Sequence, residues 1–378
     1  MDLKRRDFLS ATAAAATLAA ARPLLAQTTQ APAPRTAPPP AAPAAPSASA
    51  SQAPTEVKKI EIVNLRELEA AAQKVLSEDN FRYISRAVGE EWTKRENEAA
   101  FKRATIVPRY LTGYVGHDLT TTLLGSKLSM PIIVSAMSGH GRAHGTGEAG
   151  TAKGADAAGT LFTTGMYSTV PLEEVARASS GPKWSQIFML GDRDREKELL
   201  LRAKAAGYRA IVLTLDGVVP SNLRGNTVRS PLPSWDDVAF IQEVTGLPVL
   251  LKGVLSAETA SEAVEHGCAG IQVSNHGGRV LDDMPATFTV LPRIAEAVAG
   301  RIPIIMDGGI RRGQDVFKAL ALGADAVAIG RPILYGLALG GWMGVQGVLE
   351  HLKGELEMTM RIAGARSIRE ISNRFLSI

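Results

Sequence analysis

The sequence predicts an α/β fold in which eight parallel strands, each followed by a helix, close into a (β/α)₈ barrel. From Pro131 onward, short apolar runs alternate with turns and with stretches of helical periodicity. Polar residues cluster where the apolar runs end, the edge at which such barrels form their active sites. An open doubly wound sheet is the rival fold, but it normally has fewer strands and needs a point where the strand order reverses.

The eight apolar runs are the predicted strands. In chain order they are Pro131–Ala136, Thr160–Thr164, Lys183–Phe188, Ala210–Leu215, Pro248–Lys252, Gly270–Ser274, Pro303–Asp307 and Ala326–Gly330. The clearest predicted helices between them are Glu148–Ala158, Asp192–Ala206, Ala257–His266 and Asp315–Leu322. From Val57 to Arg109 the pattern is also helical, with Leu65, Leu68, Ala72 and Val75 on one apolar face, so a helical extension should precede the barrel.

The N-terminus has the pattern of an export signal followed by a tether. Lys4-Arg-Arg-Asp-Phe-Leu9 and the apolar run Ser10–Ala21 predict a twin-arginine signal peptide over residues 1–26, and hence a periplasmic protein. Residues 27–55 are rich in Ala and Pro and predict a disordered linker. Residues 56–378 then form the barrel domain, and a chain of 378 residues is long enough for it.

Charge and cysteine content exclude some classes of function. The formal net charge is +4, and +3 of it lies in the first 55 residues, so nothing indicates nucleic-acid binding. Cys268 is the single cysteine, which excludes an intrachain disulfide. Its surroundings favour a small buried residue over a nucleophile. No metal site is expected.

A phosphate site is predicted after strands seven and eight. Glycines there let backbone N–H groups approach an anion, and arginines add charge-assisted hydrogen bonds. The residues concerned are Asp307, Gly308, Gly309, Ile310 and Arg311 after strand seven, and Gly330 and Arg331 after strand eight. Two tight turns with solvated arginines are the alternative.

The segment after strand six carries a candidate base. His276 can act as a general base near neutral pH, and Arg279 can hold a carboxylate by two hydrogen bonds. Asp216, after strand four, is a candidate to orient His276. Lys252 ends strand five, where its charge needs an anion such as a reduced flavin.

Thr214 and Gln186 are neutral groups suited to a flavin ring. Taken singly, each of these polar residues could equally form a hydrogen bond at the edge of the core.

These residues resemble the FMN-dependent α-hydroxy acid oxidase and dehydrogenase family, most closely the bacterial L-lactate oxidases. The resemblance runs from about Ile60 to the C-terminus. Its most specific segments are Val273–Arg279, Asp307–Gly313, Leu250–Gly253 and Ile329–Pro332.

The resemblance implies a TIM barrel that binds FMN, usually as a homotetramer. It makes His276 the base, Asp216 its partner, Arg279 and Tyr83 the carboxylate ligands, and Lys252 a neighbour of the reduced ring. It also implies flavin contacts from Ala136, Met137, Ser138, Gln186, Thr214 and Ser274, and a phosphate site in the loops after strands seven and eight.

The sequence departs from the family at several positions. Phe188 stands where the family has a tyrosine that reaches the substrate, and Met166 replaces a small polar neighbour of the flavin. A second carboxylate arginine is expected after strand four, but Leu223 has that spacing, so only Arg224 could serve. Arg86-Ala87 replaces small residues after Tyr83. The loop after strand four is also short, which should leave the flavin more open to an electron acceptor.

The expected activity is oxidation of a small, lactate-like L-2-hydroxy acid to the 2-keto acid. Electrons would pass to oxygen or to a respiratory acceptor, and export with a short loop favours a dehydrogenase. One alternative is a different FMN barrel reaction, such as isomerisation of a diphosphate ester, whose substrate offers Arg279 no carboxylate. Another is a flavin-binding protein without turnover, which Phe188 and Leu223 would suit.

Overall fold

A computed structural model describes residues 53–113, 116–216 and 231–377. Eight parallel strands form a closed barrel in chain order, and the last strand pairs with the first, with Val327 opposite Ile132. The barrel strands are β1 (Ile132–Met137), β2 (Phe162–Thr164), β3 (Lys183–Ile187), β4 (Ile211–Thr214), β5 (Val249–Val254), β6 (Gly270–Val273), β7 (Ile304–Met306) and β8 (Ala326–Ile329). The predicted fold is confirmed, and every strand end lies within two residues of its predicted position.

Among the described residues, three α-helices precede the barrel and one follows each strand. The first set is α1 (Glu67–Val75), α2 (Glu78–Ser85) and α3 (Trp92–Ala99). The helices that follow β1 to β8 in turn are α4 (Gly147–Ala157), α5 (Leu172–Arg177), α6 (Arg193–Ala205), α7 (Trp235–Thr245), α8 (Ala257–Glu265), α9 (Thr287–Val298), α10 (Gly313–Ala321) and α11 (Arg331–Ala363). Outside the barrel, the described part of the chain has two antiparallel strand pairs: Thr105–Ile106 with Leu376–Ser377, and Thr121–Leu123 with Ser126–Leu128.

The barrel interior is apolar at its amino end and polar at its carboxyl end. One buried apolar cluster joins residues of the strands to Leu123 and Leu128 of the outer strand pair; its strand members include Ile133, Trp184, Val212, Leu250 and Ile305. Side chains two residues apart on a strand share a face. The next inward positions on the same strands are therefore Ser135, Gln186, Thr214, Lys252 and Asp307. This alternation brings the polar residues of separate strands together at one rim.

The N-terminal extension differs in part from the prediction. Leu65, Leu68 and Ala72 are buried as expected, but Val75 is 45% exposed and Leu76 is buried in its place. The prediction that the helical pattern begins at Val57 is wrong, because α1 begins at Glu67 and the preceding residues lie along α11. Alternating β-branched residues favour that extended course over a helix.

The leader and most of the linker lie outside the described residues. Residues 53–55, assigned to the linker by sequence, lie against the domain, where the carbonyl of Pro54 accepts a hydrogen bond of 2.8 Å from the N–H of Gly145. Cys268 is 3% exposed, and burial raises the pKa of its thiol to about 11, which confirms a small buried residue.

Helix α11 is a bent core helix. It is long and apolar enough to span a membrane by composition, but 72% of its most apolar window is buried inside the domain. Gly340 and Gly341 have non-helical dihedrals and interrupt it. The extended N-terminal segment crosses this bend, with the N–H of Lys58 3.2 Å from the carbonyl oxygen of Gly340.

We expect Gly340→Ala to destabilise the domain by about 1–3 kcal/mol, because a Cβ there would overlap the carbonyl oxygen of Lys58. Gly354→Ala is the matched control in the same helix, since nothing lies within 4 Å of its added Cβ. That control should gain up to about 1 kcal/mol from higher helix propensity. Thermal denaturation of both variants measures the difference, and equal midpoints would contradict this account of the bend.

Candidate active site

His276 and Asp216 form a hydrogen-bonded pair at the carboxyl end of the barrel. Asp216 follows β4 and His276 follows β6, and His276 Nδ1 lies 3.1 Å from Asp216 Oδ1. The histidine and the two glycines after it all have positive φ, at 56°, 64° and 72°. That turn is fixed by the His276 N–H, which donates to Ser274 Oγ at 3.1 Å. Because Nδ1 faces the carboxylate, Nε2 is the nitrogen left for a substrate.

Burial and two neighbouring basic groups set the electrostatics of Asp216. Burial by itself would raise the pKa of this carboxyl, but His276 and Lys252 outweigh it and lower the pKa to about 2. Gly253, with φ of 109°, lets the backbone of β5 lie close to the Asp216 carboxylate, since a Cβ at position 253 would be 3.2 Å from Asp216 Cγ. The carboxylate is therefore charged at neutral pH and stabilises a protonated imidazole.

Lys252 presents a buried ammonium group to the barrel mouth. The residue is 2% exposed, and its Nζ has no hydrogen-bond partner among the described residues. A buried cation of this kind is costly unless an anion receives its hydrogen bonds. The group is therefore placed to contact negative charge on a bound molecule.

Gln186, Thr214 and Met166 form a chain across neighbouring strands. Gln186 Nε2 donates to Thr214 Oγ1 at 2.9 Å, and the N–H of Met166 donates to Gln186 Oε1 at 3.0 Å. The backbone of Met166, not its side chain, makes this contact. The loss of a polar side chain at position 166 therefore leaves the glutamine amide oriented.

Asp307 is the centre of a buried network. Its Oδ2 accepts hydrogen bonds from Gln272 Nε2 at 2.6 Å, Ser274 Oγ at 2.9 Å and Ser135 Oγ at 3.3 Å. Its Oδ1 is buried with no partner among the described residues. The carboxylate is therefore held in one orientation with one oxygen available.

The glycines after β7 form a cradle with no room for side chains. Gly308 and Gly309 have φ of 98° and 78°, and a Cβ on Gly309 would overlap the carbonyl of Asn97 in α3. Ile310, next along the loop, is buried. Gly330 ends the strand-eight turn directly before α11. Backbone N–H groups can approach an anion closely in such loops.

The two arginines predicted at the phosphate site have other contacts in the structure. Arg311 NH2 lies 3.0 Å from Glu98 Oε1, and its NH1 donates to the carbonyl of Ile310. Arg331 donates to the carbonyls of Ile84, Gly277 and Arg86, all within 3.2 Å. Burial first, and then the charge of Arg279, lower the pKa of Arg331 to about 10. The Arg331 side chain thus secures the segment after Tyr83.

Arg279 reaches the same segment from the loop of His276. Its NH1 donates to the carbonyls of Tyr83 at 2.8 Å and Arg86 at 3.0 Å, and its Cζ lies 5.2 Å from the centroid of the Tyr83 ring. Burial lowers the pKa of Arg279. Arg279 thus joins the segment that contains Tyr83 to the loop that contains His276, at the carboxyl rim of the barrel.

Other predicted positions lie nearby or outside the described residues. Ala136, Met137 and Ser138 are half-buried at the end of β1. Phe188 stacks on His276, with ring centroids 6.4 Å apart and planes at 8°. Leu223 and Arg224 lie outside the described residues, as does most of the short loop before α7.

Sequence reasoning missed several supporting residues. Asn97 and Asn275 exchange two hydrogen bonds of 2.8 Å, which join α3 to the loop of His276. Gln272 and Ser135 orient Asp307, and their inward positions on β6 and β1 were the available signal. Asn97 had no such signal, because its partner is distant in the chain.

FMN fits these residues. Lys252 Nζ is a cation for an anionic ring edge, Asp307 Oδ1 is an acceptor for ribityl hydroxyls, and the cradle of Gly308 and Gly309 suits a phosphate. The pair of Gln186 and Thr214 adds neutral donors and acceptors in the same polar layer.

The charge of Asp216 makes a pH-dependent contribution to stability. Its pKa in the folded protein is about 2, below the ordinary value of 3.8, so the contribution is complete above about pH 4 and is lost as the pH falls towards 2. We expect Asp216→Asn to cost about 2 kcal/mol near neutral pH, with a difference from wild type that shrinks below about pH 4. Urea unfolding across this pH range measures it.

Asp325→Asn is the control of opposite sign, because burial raises the pKa of Asp325. Wild type therefore loses stability as the pH rises and the buried Asp325 carboxyl becomes charged. Asp325→Asn cannot ionise, so its free energy of unfolding relative to wild type should increase as the pH rises. If the difference in unfolding free energy between Asp216→Asn and wild type did not change with pH, a charged Asp216 carboxylate beside His276 would be contradicted.

Comparison with known proteins agrees with this site. The family model described as FMN-dependent dehydrogenase matches residues 72–230 and 221–378. The chain is 40% identical over 355 residues to glycolate oxidase of Spinacia oleracea, covering 84% of this chain and 96% of the relative. It is 42% identical over 346 residues to L-lactate oxidase of Lactobacillus jensenii, covering 83% and 85%.

Solved structures give the same result. A refolded Pediococcus acidilactici protein assigned as a lactate oxidase superposes with a TM-score of 0.82 at 40% identity, covering 86% of this chain and 97% of that one. A mandelate oxidase with (S)-2-phenylpropionate superposes with a TM-score of 0.78 at 35% identity, covering 84% and 98%. This chain belongs to the FMN-dependent dehydrogenase family and is an FMN-dependent oxidoreductase related to α-hydroxy acid oxidases.

Proposed function

We propose that this protein oxidises a small, lactate-like L-2-hydroxy acid to the 2-keto acid. The observation that carries the proposal is the pair of His276 and charged Asp216, 3.1 Å apart, beside the buried cation of Lys252. FMN, when bound, supplies the acceptor for the two electrons that leave the substrate. The relatives named above act, by their names, on glycolate, lactate and mandelate.

The residues of the chain divide the work of binding and proton transfer. Arg279 and Tyr83 hold the substrate carboxylate, since both lie at the rim occupied by His276. His276 takes the proton at Nε2, and Asp216 stabilises the resulting imidazolium and fixes the ring. Lys252 offsets negative charge that develops on the bound cofactor.

The electron acceptor in this proposal is oxygen or a respiratory partner. The curated relatives are named as oxidases, which favours oxygen. Stopped-flow reoxidation of the reduced protein by air and by a soluble quinone compares the two. The faster reaction identifies the acceptor class.

We also propose export and self-association. The twin-arginine pattern of Lys4–Leu9 supports export, and fractionation of cells expressing Arg5→Lys/Arg6→Lys tests it.

A homotetramer is supported by exposed apolar side chains in the Val107–Leu111 segment and the neighbouring end of α11, including Tyr110, Leu111 and Met358. Light scattering during gel filtration measures the mass.

We expect His276→Ala to lower the rate of anaerobic flavin reduction by L-lactate, glycolate or L-mandelate by about 10²–10⁴-fold, while FMN content stays near wild type. The reason is that the proton acceptor is removed while Lys252 and Asp307 remain. His266→Gln is the control, because His266 is exposed and its ring stacks on Trp235, with the centroids 4.3 Å apart. Stopped-flow absorbance measures both variants.

A wild-type protein that retains FMN but is reduced by none of these acids would overturn the proposed function. That result would favour a flavin-binding protein without turnover, for which Phe188 beside His276 is the supporting observation.

A further inference from the structure

A second guanidinium group lies beside Tyr83. Arg142 Cζ is 4.6 Å from the centroid of the Tyr83 ring, and Arg279 Cζ is 5.2 Å from the same centroid. Arg142 ends the short 3₁₀ helix His140–Arg142 that follows β1, whereas Arg279 comes from the loop after β6. The segments that follow β1 and β6 thus each place one guanidinium beside the Tyr83 ring.

The position of Arg142 is built by neighbouring residues. Its NH1 donates to Asn80 Oδ1 at 3.3 Å, and Asn80 is buried in α2 one turn before Tyr83. Gly139, with φ of 76°, makes the necessary space: a Cβ there would lie 3.1 Å from Tyr83 Cε1 and 3.5 Å from Arg142 Cδ. A side chain at position 139 would therefore crowd the Tyr83 ring and would come into contact with the Arg142 side chain.

Two guanidinium groups beside one ring repel each other, and a nearby anion offsets that repulsion. Each cation gains only about 0.5–1 kcal/mol from the ring face, and the two groups repel each other. An α-carboxylate bound by Tyr83 and Arg279 is such an anion. The loop after β4 has Leu223 at the spacing where a second carboxylate arginine is expected, whereas Arg142 is a guanidinium already placed beside Tyr83.

We propose that Arg142 is a substrate-binding residue that supplies the second guanidinium for the α-carboxylate. This rests on the proposed function, in which Tyr83 and Arg279 bind that carboxylate. Arg142 thereby sets the selectivity of the site for acids over their neutral analogues.

The test uses the FMN-loaded full chain and its Arg142→Met and Arg142→Lys variants. Pyruvate and lactamide are titrated into the oxidised protein, and binding is followed by the change in flavin absorbance. We expect Arg142→Met to weaken pyruvate binding about 10–100-fold, as for loss of a hydrogen bond to a charged group, and to leave lactamide binding within about twofold. Arg142→Lys should recover part of the loss because it keeps the charge.

Steady-state turnover adds a second measurement. KM for L-lactate should rise in Arg142→Met with little change in kcat, because the interaction is the same before and during reaction. Arg202→Met is the matched control, since Arg202 pairs with Glu173 on α5 at 2.8 Å. It should change none of these constants.

Equal weakening of pyruvate and lactamide would overturn the proposal and make Arg142 a mere support for the Tyr83 ring. Unchanged pyruvate binding in both variants would overturn it as well. Pyruvate binding needs no turnover, so failure of the proposed oxidation is seen separately, as an absence of flavin reduction in the wild-type protein.

Discussion

The two-residue period of the barrel strands governs the arrangement of this protein. Ile133, Val212 and Leu250 fill the amino end of the barrel, and the next inward residues on the same strands are Ser135, Thr214 and Lys252. A dry apolar layer thus lies directly beneath a polar one. Because water is excluded from below, charges such as Lys252 interact more strongly with each other and with a bound molecule than they would in solution.

The N-terminal extension is part of the site. Arg279 and Arg331 both donate to backbone carbonyls of the segment 83–86, and Asn97 of α3 is paired with Asn275 beside His276. The contacts to Tyr83, Ile84 and Asn275 satisfy buried or partly buried groups that would otherwise be costly. The position of Tyr83 over the barrel rim therefore depends on the two arginines.

Periodicity and strand ends were sufficient to predict the barrel and most polar residues of its rim. The pairing of His276 with Asp216 followed from the rule that carboxyl ends of parallel strands meet. Contacts between distant segments could not be predicted. The sequence does not indicate that Arg331 turns to the carbonyls after Tyr83, that Arg311 pairs with Glu98, or that Gly139 makes room for the Tyr83 ring. Such contacts depend on tertiary packing, which has no local pattern.

The network around Asp307 has a consequence for how tightly a cofactor is retained. One carboxylate oxygen is saturated by three donors, and they hold the plane of the group fixed. An incoming hydroxyl therefore meets an acceptor whose rotation is already restricted, and little rotamer entropy remains to be lost on association. Slow dissociation of a bound prosthetic group would in this way be prepared during folding, by the neutral side chains of Gln272, Ser274 and Ser135.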